Sequence, residues 1–189
     1  MQTLLDRAIG EFMREVYGIE RWQDILDQMS QGLIDTGPDG AGYAGAMREA
    51  ARRLAKPEAD LFEDLGAWLA RHEPIRRLLR FSGSNFRDFV MRLDELPDRA
   101  HMVVPELRMP SILIRQDDSN TVTIELTEAQ AGWPPVLGGI LRGMADDYGA
   151  LGLILVEGDV ITVRISDESF SEDRGFQLGD PYHAATASR

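Results

Sequence analysis

Apolar positions set out the first half of the chain. Leu4, Leu5, Ala8, Ile9, Phe12, Met13 and Val16 recur at helical spacing before Gly18, which predicts an amphipathic first helix that stops at the glycine. Trp22, Ile25 and Leu26 continue the pattern in a second helix over residues 20–29. The cluster Asp35-Thr36-Gly37-Pro38-Asp39-Gly40 interrupts it as a turn, and helical spacing resumes over about residues 43–54 and 58–71. After the break at Ser82-Gly83-Ser84, Asn85 with Asp88 three residues on reads as a helix start, and Phe86, Phe89, Val90, Leu93 and Leu96 share one face.

The period then changes from that of a helix to that of a strand. Residues 111–115 and 121–126 are β-branched runs separated by Asp117-Asp118-Ser119-Asn120, a hairpin pattern. Pro134 and Pro135 suit the first turn of a helix that carries Val136, Leu137, Ile140, Leu141 and Met144. Residues 151–156 and 160–165 form a second hairpin around Glu157-Gly158-Asp159. Segregated helices and hairpins predict an α+β fold: an N-terminal helical subdomain followed by an antiparallel four-stranded sheet with a packed helix. The expected division is a domain over 1–166, with a helical part over about 1–104, a sheet part over about 105–166, and a polar, flexible tail over 167–189.

Composition narrows the class. The chain has 189 residues, enough for one generous core. Its 32 acidic and 20 basic residues leave a net charge of -12, which repels nucleic-acid backbones and argues against such a partner. Cysteine is absent, so disulfides, thiolate metal sites and a cysteine nucleophile are excluded. No apolar run approaches the roughly 18 residues of a membrane span, and the N-terminus lacks a signal-peptide pattern. The expectation is a cytoplasmic, bacterial-type protein without membrane insertion.

Motifs for catalysis are weak. Residues 40–45 match G-x-G-x-x-G, but no strand precedes them and no parallel βαβ unit follows. Ser82 and Ser84 lack the G-x-S-x-G context of a nucleophile and read as a helix-capping turn. Three histidines occur. His183 lies in the tail, His72 reads as an exposed helix end, and His101 sits near the junction of helices and sheet. With no carboxylate pair, metal cluster or triad, the chain is expected not to be an enzyme.

Four stretches carry a family likeness. Tyr17-Gly18 with Trp22 and Ile25 resembles a Y-G-x-x-x-W-x-x-I segment. Gly83-Ser84-Asn85-Phe86-Arg87-Asp88-Phe89 is similar to G-S-N-x-R-(E/D)-F, and Leu93-Asp94-Glu95-Leu96 to L-D-x-L. Pro105-Glu106-Leu107-Arg108-Met109-Pro110-Ser111 resembles P-G-M-R-A-P-S. In this order they resemble the heme-nitric oxide/oxygen-binding (H-NOX) family of bacterial gas sensors and soluble guanylate cyclase, over about residues 1–166.

The resemblance implies a heme cofactor and a sensory role in signal transduction, exercised on a separate cyclase, phosphodiesterase or histidine kinase. It places Leu5, Ile9 and Leu69 in the distal wall of a heme cavity and Pro110 against the porphyrin. The iron-ligating histidine of the family falls at Pro97, whose ring offers no donor and whose place inside a helix removes a backbone hydrogen bond. The Y-x-S-x-R propionate clamp falls on Leu126, Glu128 and Gln130. Two readings follow. One is a stand-alone signalling domain without the family's heme ligand. The other is a nitric oxide or oxygen sensor with His101, four residues beyond Pro97, as a nonstandard axial ligand.

Overall fold

The β-branched runs pair into one antiparallel sheet of order β1-β2-β4-β3, built from β1 (Ser111–Gln116), β2 (Thr121–Thr127), β3 (Leu151–Glu157) and β4 (Val160–Asp167). The computed structural model describes residues 4–33, 42–105, 107, 109–129 and 132–167, with backbone alone at 4–6, 42–44 and 167. Strand β4 runs through Asp167, just past the expected boundary. The register places Ile112 opposite Leu126 and Ile124 opposite Ile161. Alternation then gathers Ile112, Val122, Ile124, Leu126, Ile154, Ile161, Val163 and Ile165 on one buried face.

A long helix packs on that face along β3 and β4, and the 3-10 turn at Leu93–Glu95 packs against β1. This helix, α8 (Trp133–Tyr148), follows β2, carries Pro134 and Pro135 in its first turn, and ends at Gly149 in the left-handed conformation with φ 69°. Its residues Val136, Leu137, Ile140, Leu141 and Met144 are all buried. Arg142 ties three elements together: it donates to Ile154 O on β3 at 2.8 Å and pairs with Glu63 at 2.5 Å.

The first half is helical throughout its described residues: α1 (Leu4–Phe12) runs into a π-helical turn at Met13–Tyr17, followed by α2 (Ile19–Ser30), α3 (Gly42–Arg53), α4 (Glu58–Arg71), α5 (Glu73–Arg80), α6 (Phe86–Met91), a 3-10 turn at Leu93–Glu95, and α7 (Leu96–Val103). Gly18, at φ 98°, ends the first segment as expected. The motif at 40–45 lies partly outside the described residues, and so does the tail with His183.

Two differences from the pattern have clear causes. Helix α5 was not expected, because Arg76, Arg77 and Arg80 dilute its apolar positions. The apolar face from Phe86 to Leu96 is continuous, as its spacing predicts, yet the backbone beneath it breaks into α6, the 3-10 turn and α7. Glycines then join the two halves. A Cβ on Gly66 of α4 would lie 2.0 Å from Val136 O of α8, and one on Gly139 would lie 2.0 Å from Glu63 O. At Gly143 it would lie 2.6 Å from Ala70 Cβ. Helices α4 and α8 therefore meet backbone to backbone, with no space for side chains between them.

Candidate functional site

The Gly83–Phe89 stretch builds the joint between helices and sheet. Asn85 caps α6 by accepting from Asp88 N at 2.8 Å, and Asp88 returns the contact by accepting from Ser84 N at 3.0 Å. Gly83 permits a close approach: a Cβ there would lie 2.3 Å from Phe89 N. Arg87 reaches across to Ser119 O and Asn120 Oδ1 in the β1–β2 turn. Phe86, Phe89 and Tyr148 cluster with ring centroids 6.0–6.4 Å apart. The Tyr148 hydroxyl donates to Gly83 O at 2.8 Å, and Arg80 lies 4.3 Å over its ring. Burial pushes the Tyr148 phenol up, against the opposing pull of Arg80. These residues act as a structural joint. Ser82 takes part in the same way: it is buried and accepts from Arg99 at 2.7 Å.

Helix α7 carries Pro97, and here the structure corrects the sequence reading. A proline inside a helix loses a hydrogen bond, but α7 begins afresh at Leu96 after the 3-10 turn, so Pro97 lies in its first turn, where no such bond is made. The ring is half-buried. The helix continues through Val103, which puts His101 one turn further along the same helix, with an exposed side chain. Arg99 holds α7 in place through Ser82, Glu95 at 2.9 Å and Arg92 O at 3.4 Å.

The other heme-related positions fall in unlike surroundings. Ile9 on α1 is buried, and Leu69 on α4 is half-buried against the same core. Pro110 is buried just before β1. The side chain of Leu5 and the whole of Gln130 lie outside the described residues. Leu126 points into the sheet core, and Glu128 is exposed at φ 56°, turning the chain out of β2. At the positions that the sequence resemblance assigns to the iron ligand and to the two hydroxyls of the propionate clamp, the structure has a half-buried pyrrolidine ring, a buried leucine and an exposed carboxylate. These residues do not fit a heme held in that way.

Other polar groups lie apart from these positions. His72 is half-buried and stacks on Trp68 at 4.9 Å, rather than standing exposed at a helix end, because α5 follows directly and folds it back. Tyr17 donates to Asp64 at 2.5 Å, and Lys56 pairs with the same carboxylate. Burial and then that hydrogen bond raise the Tyr17 phenol. A cleft of about 390 Å³ opens beside them, with Met13, Ile25 and Leu54 on its floor and Arg21 and Arg53 on its rim. No pattern along the chain signals this cleft, which forms where α2, α3 and the π turn converge. Among the described residues no group of three His, Cys, Asp or Glu side chains could hold a metal ion, and no helix is long and apolar enough to cross a membrane.

A helical half locked by glycines onto the long helix that lines an antiparallel sheet, with its motif residues spent on joining the two, defines an α+β domain. Comparison with known proteins narrows the class. The chain belongs to the haem-NO-binding family, whose profile matches residues 3–150. Solved structures agree on the fold. An H-NOX protein from S. oneidensis in the Fe(II) ligation state, a triple mutant, is 14% identical, with a TM-score of 0.72 over 91% of this chain and 100% of its own. A mutant of the T. tengcongensis H-NOX protein is 13% identical, with a TM-score of 0.69 over 90% of this chain and 100% of its own. An oxygen-binding H-NOX domain related to soluble guanylate cyclases, in its oxygen complex, is 13% identical, with a TM-score of 0.64 over 88% of this chain and 96% of its own. No curated protein matches the chain.

Proposed function

We propose that this chain is a sensory or regulatory signalling domain of the H-NOX type that does not hold heme in the family's manner and acts, in the cytoplasm, on a separate partner protein. Pro97 carries the reading. It occupies the position that the resemblance assigns to the axial histidine, and its ring nitrogen is tied into the backbone amide with no lone pair for iron. Leu126, Glu128 and Gln130 add support, since an apolar side chain and a carboxylate stand where the clamp's two hydroxyls should meet the propionates, and an uncharged amide stands where its cation should. By family analogy the partner is a cyclase, a phosphodiesterase or a histidine kinase, and the reading assigns the chain no catalysis of its own.

The unbroken run of α7 through Val103 favours a second reading, a nitric oxide or oxygen sensor with His101 as axial ligand. Against it stand the exposure of His101 and a displacement of one helical turn, about 5.4 Å, beside an iron–nitrogen bond of about 2 Å. Protein purified from heme-replete cells and then mixed with hemin separates the two by its visible spectrum. The first reading expects no sharp Soret band, before or after hemin. A band that shifts with nitric oxide and disappears in His101→Ala would establish the second instead.

A further inference from the structure

The cleft beside Tyr17 is built from repeated spacings. Helix α2 turns Arg21, Asp24 and Ile25 toward it, and α3 turns Ala50, Arg53 and Leu54, so each helix presents residues three and four apart on one face. Met13 and Tyr17 join the lining from the π-helical turn, a backbone form that recurs at functional sites. Ala50 is buried and small, and the two helices leave between them a space of about 390 Å³. That volume lies within the range of small-molecule sites. None of the positions assigned to heme is among the described residues that line it.

The polar groups of the cleft are not equally available. Arg53 has all three guanidinium nitrogens engaged: Nε with Glu49 at 2.6 Å, Nη1 with Asp24 and Nη2 with Gln28. Asp24 is paired by that contact and also accepts from Gln28 at 3.1 Å. The Tyr17 hydroxyl donates to Asp64 at 2.5 Å. Arg21 differs from all of these. It is exposed, and among the described residues its side chain has neither a carboxylate partner nor a hydrogen bond. An apolar floor therefore lies beside one guanidinium whose fork of donors is free.

We propose that this cleft binds a small organic monocarboxylate, with its apolar chain on Met13, Ile25 and Leu54 and its carboxylate on Arg21. The free donors belong to a cation, so the ligand's head must be an acceptor, and a guanidinium pairs with a carboxylate through two parallel hydrogen bonds. A phosphate monoester also fits the fork, but its second negative charge would meet Asp24 on the same rim, which selects the monoanion. The chain as a whole carries a net charge of -12 and so favours cations over most of its surface. A preference for an anion therefore marks the place where a cation stands unpaired. One exposed ion pair and a short apolar contact hold such a ligand weakly, with a Kd on the order of 1 mM.

Amide spectra of the isotope-labelled full chain, titrated with sodium octanoate, test the site. Saturable shifts are expected at Ile25, Ala50 and Leu54, with a Kd on the order of 1 mM. Acetate, which lacks the apolar chain, should leave these amides unmoved at the same concentrations. Octylammonium, which the net charge favours elsewhere, should not saturate there. Arg21→Gln should weaken octanoate at least about fivefold and keep the wild-type circular dichroism, because the side chain is exposed. Arg14→Gln, exposed on the π turn but not among the residues lining the cleft, should bind octanoate as the wild type does. Octyl phosphate binding more tightly than octanoate overturns the choice of head group. The site itself is overturned if octanoate moves no amide of the cleft up to about 10 mM, or binds Arg21→Gln as tightly as the wild type.

Discussion

At the scale of single residues, Pro97 matters for what it lacks. It sits in the first turn of α7, where the fold tolerates it, and on the proposed reading it offers no donor at the position of the axial ligand. The sequence reading misjudged the strain at Pro97, because the 3-10 turn that restarts the helix leaves no mark in the apolar spacing. Glu49 illustrates a different residue-scale effect. Its carboxylate accepts from Arg52 at 2.6 and 2.8 Å and from Arg53 at 2.6 Å, which holds its pKa down at about 2 against an ordinary 4.5. A group depressed on folding stabilises above its unfolded pKa, and the contribution disappears as pH falls from about 4.5 to about 2. The pairs are open to solvent, so about 1 kcal/mol is the ceiling. Urea titrations of wild type and Glu49→Gln should therefore differ at pH 6 and converge near pH 2.

At the scale of elements, the contact of α4 with α8 dominates. Small residues at Gly66, Ala70, Gly139 and Gly143 let the two backbones touch, and the helices carry the helical half and the sheet respectively. Substituting Gly66 by alanine places a methyl group 2.0 Å from Val136 O, with no flexible side chain to yield. Such overpacking is expected to destabilise by about 2 kcal/mol or more, even after the roughly 1 kcal/mol that alanine gains over glycine inside a helix. A shift in the urea midpoint measures it. An exposed glycine, Gly32, with φ 69° and open space around it, provides the control in which strain arises from backbone conformation alone.

At the scale of the whole molecule, that contact couples the helical half to the sheet. Trp22 and Trp68 report on the first, and Trp133 opens α8. Unfolding followed by tryptophan fluorescence and by far-ultraviolet circular dichroism should coincide in one transition. Two separated transitions would show that the halves are independent units. A sensory role in which the helices move over the sheet needs motion elsewhere than at this seam.

By itself the sequence determined the α+β class, the two hairpins and α8, and it set Pro97 at the position that the family resemblance assigns to the iron ligand. Each of these is written in local terms: strand alternation, turn residues, helical spacing, and one motif with a proline in it. Tertiary structure decided the rest. The order β1-β2-β4-β3, the glycine contact of α4 with α8, the exposure of His101 and the exposed leucines of β3 all depend on which distant segments meet. Spacing along a chain records which face of an element is apolar; what that face packs against, or whether anything covers it, is settled only when the elements close around a common core.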